Sequence, residues 1–163
     1  MKTIYLIRHA KSDWGNPGLS DFNRPLNQRG KHDAPLMGQQ LRSLHVKPDL
    51  MLSSSAKRAL ETVTAISKEL GYPNHQIQFE ENIYHASTRQ LAQIITGLND
   101  ELDTVALVGH NPGLTYFSNY LTDDLIDNIV TCGIVKIELE IDRWQEIIEG
   151  IGRKIYYIYP KMY

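Results

Sequence analysis

The sequence predicts an α/β protein: a three-layer α/β/α sandwich with a mostly parallel central sheet and mixed strands at its C-terminal edge. Segments 3–7 and 104–108 are nearly continuous runs of strand-forming residues, a pattern typical of parallel strands covered on both faces. The segments that follow these and other strands carry apolar residues at helical spacing. The C-terminal part returns to strand patterns, and 133–141 alternates over its second half as a strand with one wet face does. This order of elements predicts helices on both sides of one sheet.

Turn and capping residues place the individual elements along the chain. We expect strands in six segments: 3–7, 50–53, 76–79, 104–108, 133–141 and 154–159. Residues 144–148 contain further strand-forming residues. We expect four helices, with their apolar stripes in 27–44, 56–70, 87–98 and 111–121. The predicted caps are Asn27, the serines at 53–55, a capping box of Ser87 with Gln90, and Asn111 followed by a proline.

The composition is that of one globular domain over residues 1–163. The net charge is −2 and the basic residues are dispersed, so no nucleic-acid partner is expected. The N-terminus lacks the features of a signal peptide, and no segment has the length of a membrane span. Cys132 is the only cysteine, which excludes an internal disulfide and a thiolate metal cluster. We therefore expect a cytoplasmic protein without a membrane partner.

Cationic and imidazole side chains follow three of the predicted strands. Arg8 and His9 end the first strand, Arg58 lies in the first turn of the helix after the second, and His110 follows 104–108. The carboxyl ends of neighbouring parallel strands share one edge of a sheet, where α/β proteins bind ligands. Helix N-termini at that edge favour anions. We expect Arg24, in the long loop before the first helix, to fold onto the same edge.

This set of side chains predicts a phosphate pocket with a histidine nucleophile. Arginine binds phosphate oxygens bidentately and stays charged at any working pH. Phosphoryl transfer needs such charge stabilisation and a group that attacks phosphorus. No cysteine lies near a cationic loop, and no metal-ligand spacing occurs. An unprotonated imidazole is a competent nucleophile, and positive neighbours at a strand end disfavour protonation of His9.

Three blocks of the sequence resemble the signature of the histidine phosphatase superfamily. The blocks are Arg8-His9-Ala10, Ser54-x-x-x-Arg58-Ala59-x-x-Thr62 and Gly109-His110-Asn111-Pro112. Their order and the α/β pattern agree with that family over essentially the whole chain, which implies a phosphoglycerate mutase-like fold. The short length and the segment 24–30 look most like the compact SixA-type phosphohistidine phosphatases. Ala10 departs from the glycine that is usual at the third position of the first block.

The resemblance implies a role for each matched residue. His9 would be the nucleophile that becomes transiently phosphorylated. Arg8, Arg58 and His110 would bind the phosphoryl oxygens, with His110 counted among the catalytic residues, and Arg24 would be a further arginine of the pocket. The resemblance implies neither a metal nor an organic cofactor.

The general acid is an open point. Phosphomonoester branches of the family carry a glutamate in the loop after the third strand, which protonates an alkoxide leaving group. Glu81 lies in a comparable loop, where it is either that acid or an ordinary solvated carboxylate. An imidazole leaving group has less need of a strong acid, so weak evidence for the acid agrees with a phosphohistidine substrate.

The sequence therefore supports three hypotheses. The first is a metal-independent phosphatase that acts on phosphohistidine in a protein through a phosphorylated His9. The second keeps this chemistry but takes a small phosphomonoester, such as a sugar or nucleotide-derived phosphate, with Glu81 as general acid. The third is a phosphoprotein-binding module without catalysis. Ser12, Asp13 and Trp14 would line the substrate entrance or else be exposed loop residues, and the pair Thr131 and Gly133 would border the pocket or have no role in it. His85 would be a surface or packing histidine or lie near the pocket mouth.

Overall fold

Six strands and four α-helices make up the computed structural model, which describes all 163 residues. The strands are β1 Lys2–Arg8, β2 Leu50–Ser53, β3 Gln78–Phe79, β4 Thr104–Gly109, β5 Ile134–Leu139 and β6 Gly152–Ile158. The helices are α1 Gln28–Ser43, α2 Lys57–Leu70, α3 Thr88–Thr96 and α4 Gly113–Leu121. None of these helices is long and apolar enough to cross a membrane.

All six strands form one sheet in the order β3-β2-β4-β1-β5-β6. The first four strands in this order are parallel, and β5 and β6 run antiparallel at the C-terminal edge. Arg8 pairs with Gly109, and Ser53 pairs with Val108. The carboxyl ends of β1, β2 and β4 therefore lie side by side, as the sequence predicts. The predicted fold class is confirmed.

The two faces of the sheet are covered by different helices. Alternate residues of β1 point to opposite sides: Ile4 and Leu6 join the apolar cluster that includes α3 and α4, and Tyr5 and Ile7 join the cluster with α1 and α2. Burial of each large apolar side chain stabilises the fold by about 1.5–3 kcal/mol. Because β1 is buried on both faces, its central residues 4–7 are hydrophobic on both faces rather than alternating with polar residues.

The predicted caps of α1 and α3 are confirmed. Asn27 accepts a hydrogen bond from the backbone of Gly30, and Ser87 and Gln90 form the capping box. The prediction for α2 is wrong: its N-cap is Ala56, and no side chain caps this helix. Ser54 is instead used in the candidate site described below.

The prediction of further strand structure at 144–148 is also wrong. Trp144–Glu146 is a turn of 3-10 helix, and the indole of Trp144 is fully buried. Trp144 Nε1 donates to the carbonyl of Leu102 at 2.9 Å, and the Trp144 amide donates to Asp100 Oδ1. These tertiary contacts outweigh the strand propensity of the segment.

Candidate active site

His9 lies immediately after β1, where its backbone continues the hydrogen bonding of the sheet. Its amide donates to Gly109 O, and its carbonyl accepts from the amide of Cys132. The side chain is only 8% exposed. His9 Nδ1 lies 2.7 Å from the carbonyl of Ala10, and since a carbonyl only accepts, Nδ1 carries the proton. Nε2 therefore holds the free lone pair, and it makes no hydrogen bond within the protein.

The second sequence block reaches His9 through its threonine. Thr62 Oγ1 accepts a hydrogen bond from the Ala10 amide at 2.9 Å and donates to the carbonyl of Arg58 at 2.7 Å. Both Thr62 and Ala10 are fully buried. The helix that carries Arg58 is in this way tied to the residue that follows His9.

His110 follows β4 and stands beside His9, with 5.1 Å between the ring centroids. Its Nε2 lies at hydrogen-bond distance, 2.8 Å, from Ser54 Oγ, which also accepts from the amide of Ala56. His110 Nδ1 is buried and has no partner. The N-cap position of α4 is Pro112 and not Asn111, but Asn111 Oδ1 accepts from the amide of Thr115 in the first turn of α4, as a capping side chain does, and from the Thr115 hydroxyl.

Both imidazoles are held in the neutral form. Burial, with the nearby charges of Arg58 and Arg8 as further causes, lowers the pKa of His9 to about 3. Burial, His9 and Arg58 lower the pKa of His110 to about 3. His9 Nε2 is thus unprotonated over the whole neutral range, which is the state required of a nucleophile.

Three arginines surround the two histidines. Arg8 Nη1 donates to the carbonyl of Ile129 and has no carboxylate partner. Arg58 is bound through both terminal nitrogens by Asp21, at 2.7 Å to the carbonyl and 3.0 Å to the carboxylate. Arg24 is 7% exposed, bonds to Ser12 Oγ and Asp21, and its guanidinium carbon lies 3.4 Å from the ring centroid of Trp14.

These residues line one cavity of about 280 Å³. Its charged lining consists of Arg8, Lys11, Arg24, Arg58 and a single carboxylate, an excess of three positive charges in a protein whose net charge is −2. An enclosed positive surface of this kind attracts anions. The five expected residues Arg8, His9, Arg24, Arg58 and His110 are therefore together in one place.

Glu81 is the expected site residue that lies elsewhere. It begins a 3-10 turn after β3, is exposed, and does not line the cavity. His85 does line it, with its ring tilted by 40° against that of Tyr84 at 3.9 Å between centroids. Ser12, Trp14 and Thr131 also line the cavity.

Asp21 and Tyr84 are the site residues that the sequence did not reveal. The Tyr84 hydroxyl donates to Asp21 Oδ2, and its ring lies 5.8 Å from the guanidinium of Arg58. The one available signal was the position of Asp21 three residues before Arg24, which suits a local ion pair. Nothing in the sequence connects Tyr84 with residues 63 positions earlier.

A second, larger cavity of about 490 Å³ adjoins the first and shares His85, His110 and Asn111 with it. It runs past the first residues of α3 and α4, where Arg89 and Tyr116 border it. The phosphate-sized cavity therefore continues into a groove with room for more of a substrate. No group of three or more His, Cys, Asp or Glu side chains is arranged to hold a metal ion.

Comparisons with known proteins place the fold and the site in a family. The chain is similar over 98% of its length to a putative phosphohistidine phosphatase SixA from Agrobacterium tumefaciens, with 27% identity, a TM-score of 0.81 and 98% of that chain covered. It is 29% identical to an uncharacterized chloroplastic protein of Arabidopsis thaliana over 153 residues, which are 89% of this chain and 70% of that protein.

Two further comparisons match part of the chain. Over 67 residues the chain is 42% identical to the mitochondrial serine/threonine-protein phosphatase PGAM5 of Xenopus tropicalis, which is 41% of this chain and 23% of that protein. The family model of the histidine phosphatase superfamily (branch 1) matches residues 4–86, a span that includes Arg8, His9 and Arg58. This chain belongs to branch 1 of the histidine phosphatase superfamily.

Proposed function

We propose that this protein is a metal-independent phosphatase that removes the phosphoryl group from phosphohistidine in a protein, through a covalent intermediate on His9. The observation that carries the proposal is a neutral imidazole with a free Nε2 in a cavity with three excess positive charges. Phosphoryl transfer asks a protein mainly for positioning and for charge stabilisation. The guanidinium groups supply that stabilisation, and His9 supplies the nucleophile.

The first step transfers the phosphoryl group to the enzyme. The lone pair of His9 Nε2 attacks phosphorus, the P–N bond to the substrate imidazole breaks, and its electron pair stays on that imidazole nitrogen. Because the substrate ring enters protonated on its other nitrogen, it leaves as a neutral imidazole. The Nδ1 bond to the Ala10 carbonyl holds the ring in the required tautomer and stabilises the charge it gains. Arg8, Arg58 and His110 bind the equatorial oxygens.

The second step restores the enzyme. A water molecule attacks the phosphorus of phospho-His9, the P–Nε2 bond breaks, and the bonding pair returns to Nε2 while the water's proton leaves to phosphate or solvent. The products are inorganic phosphate and neutral His9. The cationic cavity stabilises the transition state of this step in the same way as in the first.

Two observations favour a protein phosphohistidine as substrate. Glu81, the expected acid, does not line the cavity, and a substrate imidazole can carry its own proton and needs little acid assistance. The adjoining groove of about 490 Å³ leaves room for the polypeptide around a phosphorylated side chain. The likeness to a putative phosphohistidine phosphatase at 27% identity agrees with this choice.

A phosphomonoester substrate is the second candidate. It is favoured by the 42% identity with a serine/threonine-protein phosphatase over 67 residues of the chain. In that case an acid must protonate the leaving oxygen, and Glu81 would have to reach the pocket when substrate binds.

The decisive experiment compares turnover of a phosphohistidine peptide with turnover of phosphate esters in the presence of EDTA, together with a search for the phosphoenzyme. We expect faster turnover of the phosphohistidine peptide and an acid-labile adduct that mass spectrometry places on His9. His9→Ala should lose both, while the matched control His75→Ala, an exposed histidine of the 3-10 turn Asn74–Gln76, should keep both. An intact reaction in His9→Ala, or loss of activity with EDTA, would refute the proposal.

A further inference from the structure

The Asp21 carboxylate lies in the cavity among the side chains proposed to bind phosphate. Its Oδ1 accepts from Arg24 Nε at 3.1 Å and lies 3.1 Å from Arg24 Nη2. Its Oδ2 accepts from Arg58 Nη2 at 3.0 Å and from the hydroxyl of Tyr84. A carboxylate has about four lone-pair sites, and three of those of Asp21 accept hydrogen bonds from the protein. Asp21 is therefore largely committed to Arg24, Arg58 and Tyr84.

The positive charges of Arg24 and Arg58 have no carboxylate partner other than Asp21. Arg24 is 7% and Arg58 is 4% exposed, and two buried guanidinium groups without a counter-ion would be strongly destabilising. Asp21 is the only carboxylate that forms an ion pair with either of them. In the empty pocket this carboxylate supplies the negative charge that a phosphoryl group would supply when bound.

Arg58 carries a single positive charge that Asp21 already compensates. Its two terminal nitrogens both donate to Asp21, one to the carbonyl and one to the carboxylate. Arginine has five N–H donors, and Arg58 Nε is buried without a partner, so Nε and the remaining terminal N–H groups are left for a phosphoryl group. A phosphoryl group bound there shares the positive charge of Arg58 with the Asp21 carboxylate.

We propose that Asp21 is a positioning residue that aligns Arg24 and Arg58 in the empty pocket and competes with the phosphoryl group for Arg58, which weakens the binding of the phosphate product. This inference rests on the proposed function, since it takes the same cavity as the phosphate site. The loop that carries Asp21 also contacts Tyr84 through the Phe22 ring, which meets the Tyr84 ring edge-on at 5.2 Å between centroids. The Asp21 side chain itself is 42% exposed, so its carboxylate can turn towards solvent when a phosphoryl group binds and return on release without displacement of the loop.

Asp21 and Tyr84 keep the same protonation states over the neutral pH range, so the competition between Asp21 and phosphate does not depend on pH there. The hydrogen bond from Tyr84, with Arg58 and Arg24 as further causes, holds the pKa of Asp21 well below its usual range. Burial and the bond to Asp21 raise the pKa of Tyr84, so this residue stays a donor. Asp21 is therefore charged wherever the enzyme works.

The test measures the affinity for inorganic phosphate by calorimetry at constant ionic strength, without turnover. Asp21→Asn removes the competing charge and should bind phosphate on the order of tenfold more tightly. Asp21→Glu restores a carboxylate and should return the affinity towards that of the wild type. Asp142→Asn is the matched control, because it removes the same charge beyond the end of β5 that pairs with the start of β1, at the opposite end of the sheet from His9. Its affinity should be unchanged.

Kinetics separate this role from a purely structural one. In Asp21→Asn the inhibition constant of phosphate should fall together with kcat, because product leaves more slowly, while KM for substrate also falls. A residue that only supports the fold would raise KM and weaken inhibition by phosphate. If Asp21→Asn is unfolded without ligand, its dissociation constant is obtained from the increase in its stability with phosphate concentration, and this constant should lie below that of the wild type.

The outcomes distinguish this inference from the proposed function. If the wild-type protein binds no phosphate, the phosphate site itself is refuted. If the wild type binds phosphate but Asp21→Asn binds it equally or more weakly, or remains unfolded at saturating phosphate, only the competing role of Asp21 is overturned.

Discussion

The hydroxyl of Thr62 accepts a hydrogen bond from the backbone amide of Ala10 at 2.9 Å, in a part of the protein where both residues are fully buried. It joins the residue next to the candidate nucleophile to the helix that carries Arg58. A buried amide that loses its partner costs about 1–3 kcal/mol. This contact therefore connects the stability of the fold with the alignment of the site.

Thr62→Val is expected to lower both stability and activity. The substitution keeps the shape of the side chain but leaves the Ala10 amide unsatisfied, so the free energy of unfolding in urea should fall by about 1–3 kcal/mol. The small displacement of His9 should lower kcat on the order of tenfold or more. Thr62→Ser, which keeps the hydroxyl, should retain most of both. Equal activity in Thr62→Val and the wild type would contradict a positioning role.

Ser54→Ala is expected to lower catalysis and also stability, because the buried Ala56 amide loses its acceptor, which costs about 1–3 kcal/mol. Ser54 Oγ is the only partner of His110 Nε2, at 2.8 Å, and without it the imidazole is free to turn away from the phosphoryl position. We expect kcat/KM to fall on the order of tenfold, the effect typical of groups that orient a site residue. The neighbouring Ser55→Ala is the control, since the Ser55 side chain makes no hydrogen bond in the structure. A similar loss in both variants would show that the effect is not specific to His110.

The parts of the site on regular elements were predictable from the sequence. Arg8, His9, Arg58 and His110 follow strands or begin a helix, and the apolar runs that define those strands place them at one edge of the sheet. The same reasoning wrongly predicted Ser54 as a cap of α2, because a serine before a helix is typical of a cap. The contact of its hydroxyl with the imidazole of His110, 56 residues away, cannot be read from the sequence. A serine at such a position can either cap a helix or bind another side chain, and its role can be assigned only when its neighbours in the structure are known.

Asp21 and Tyr84 show a different limit. They lie in loops that have no periodicity, and their contact depends on how two separate connections fold over the carboxyl end of the sheet. Sequence patterns describe which face of an element is buried, but they carry no information about such loop–loop contacts. Trp144 is a related case, because its strand propensity was overridden by burial against Leu102.

Stability should fall as the pH is lowered below the ordinary pKa of histidine. His9 and His110 keep pKa values of about 3 in the folded protein, whereas their ordinary value is 6.5. Between these values the unfolded chain binds protons that the folded chain does not, so protonation favours unfolding. Each of the two residues contributes a slope of up to about 1.4 kcal/mol per pH unit.

Urea unfolding between pH 7 and 5 would measure this slope above the range in which carboxylates dominate. His9→Gln should make the decrease shallower, because one of the two depressed groups is gone. His75→Gln, at an exposed position, should leave the slope as it is. A wild-type stability that is flat or rises towards pH 5 would show that the two imidazoles are not held neutral by the fold.

Glu81→Gln is expected to leave phosphohistidine turnover nearly unchanged. Glu81 is exposed on the 3-10 turn Glu81–Ile83 and does not line the cavity with His9, so no proton path from it to a bound phosphoryl group is present. The leaving imidazole of phosphohistidine takes a proton at low cost, whereas an alkoxide leaving group requires an acid, whose contribution is typically about 100-fold or more. The measurement is kcat/KM for a phosphohistidine peptide and for a phosphoserine peptide in wild type, Glu81→Gln and the control Glu80→Gln. A loss of ester hydrolysis alone in Glu81→Gln would make Glu81 the acid of a second, ester-directed activity, because the loop would then have to close over the pocket. A loss of both activities would show that Glu81 supports the pocket itself, and the phosphohistidine reaction would then need an acid after all.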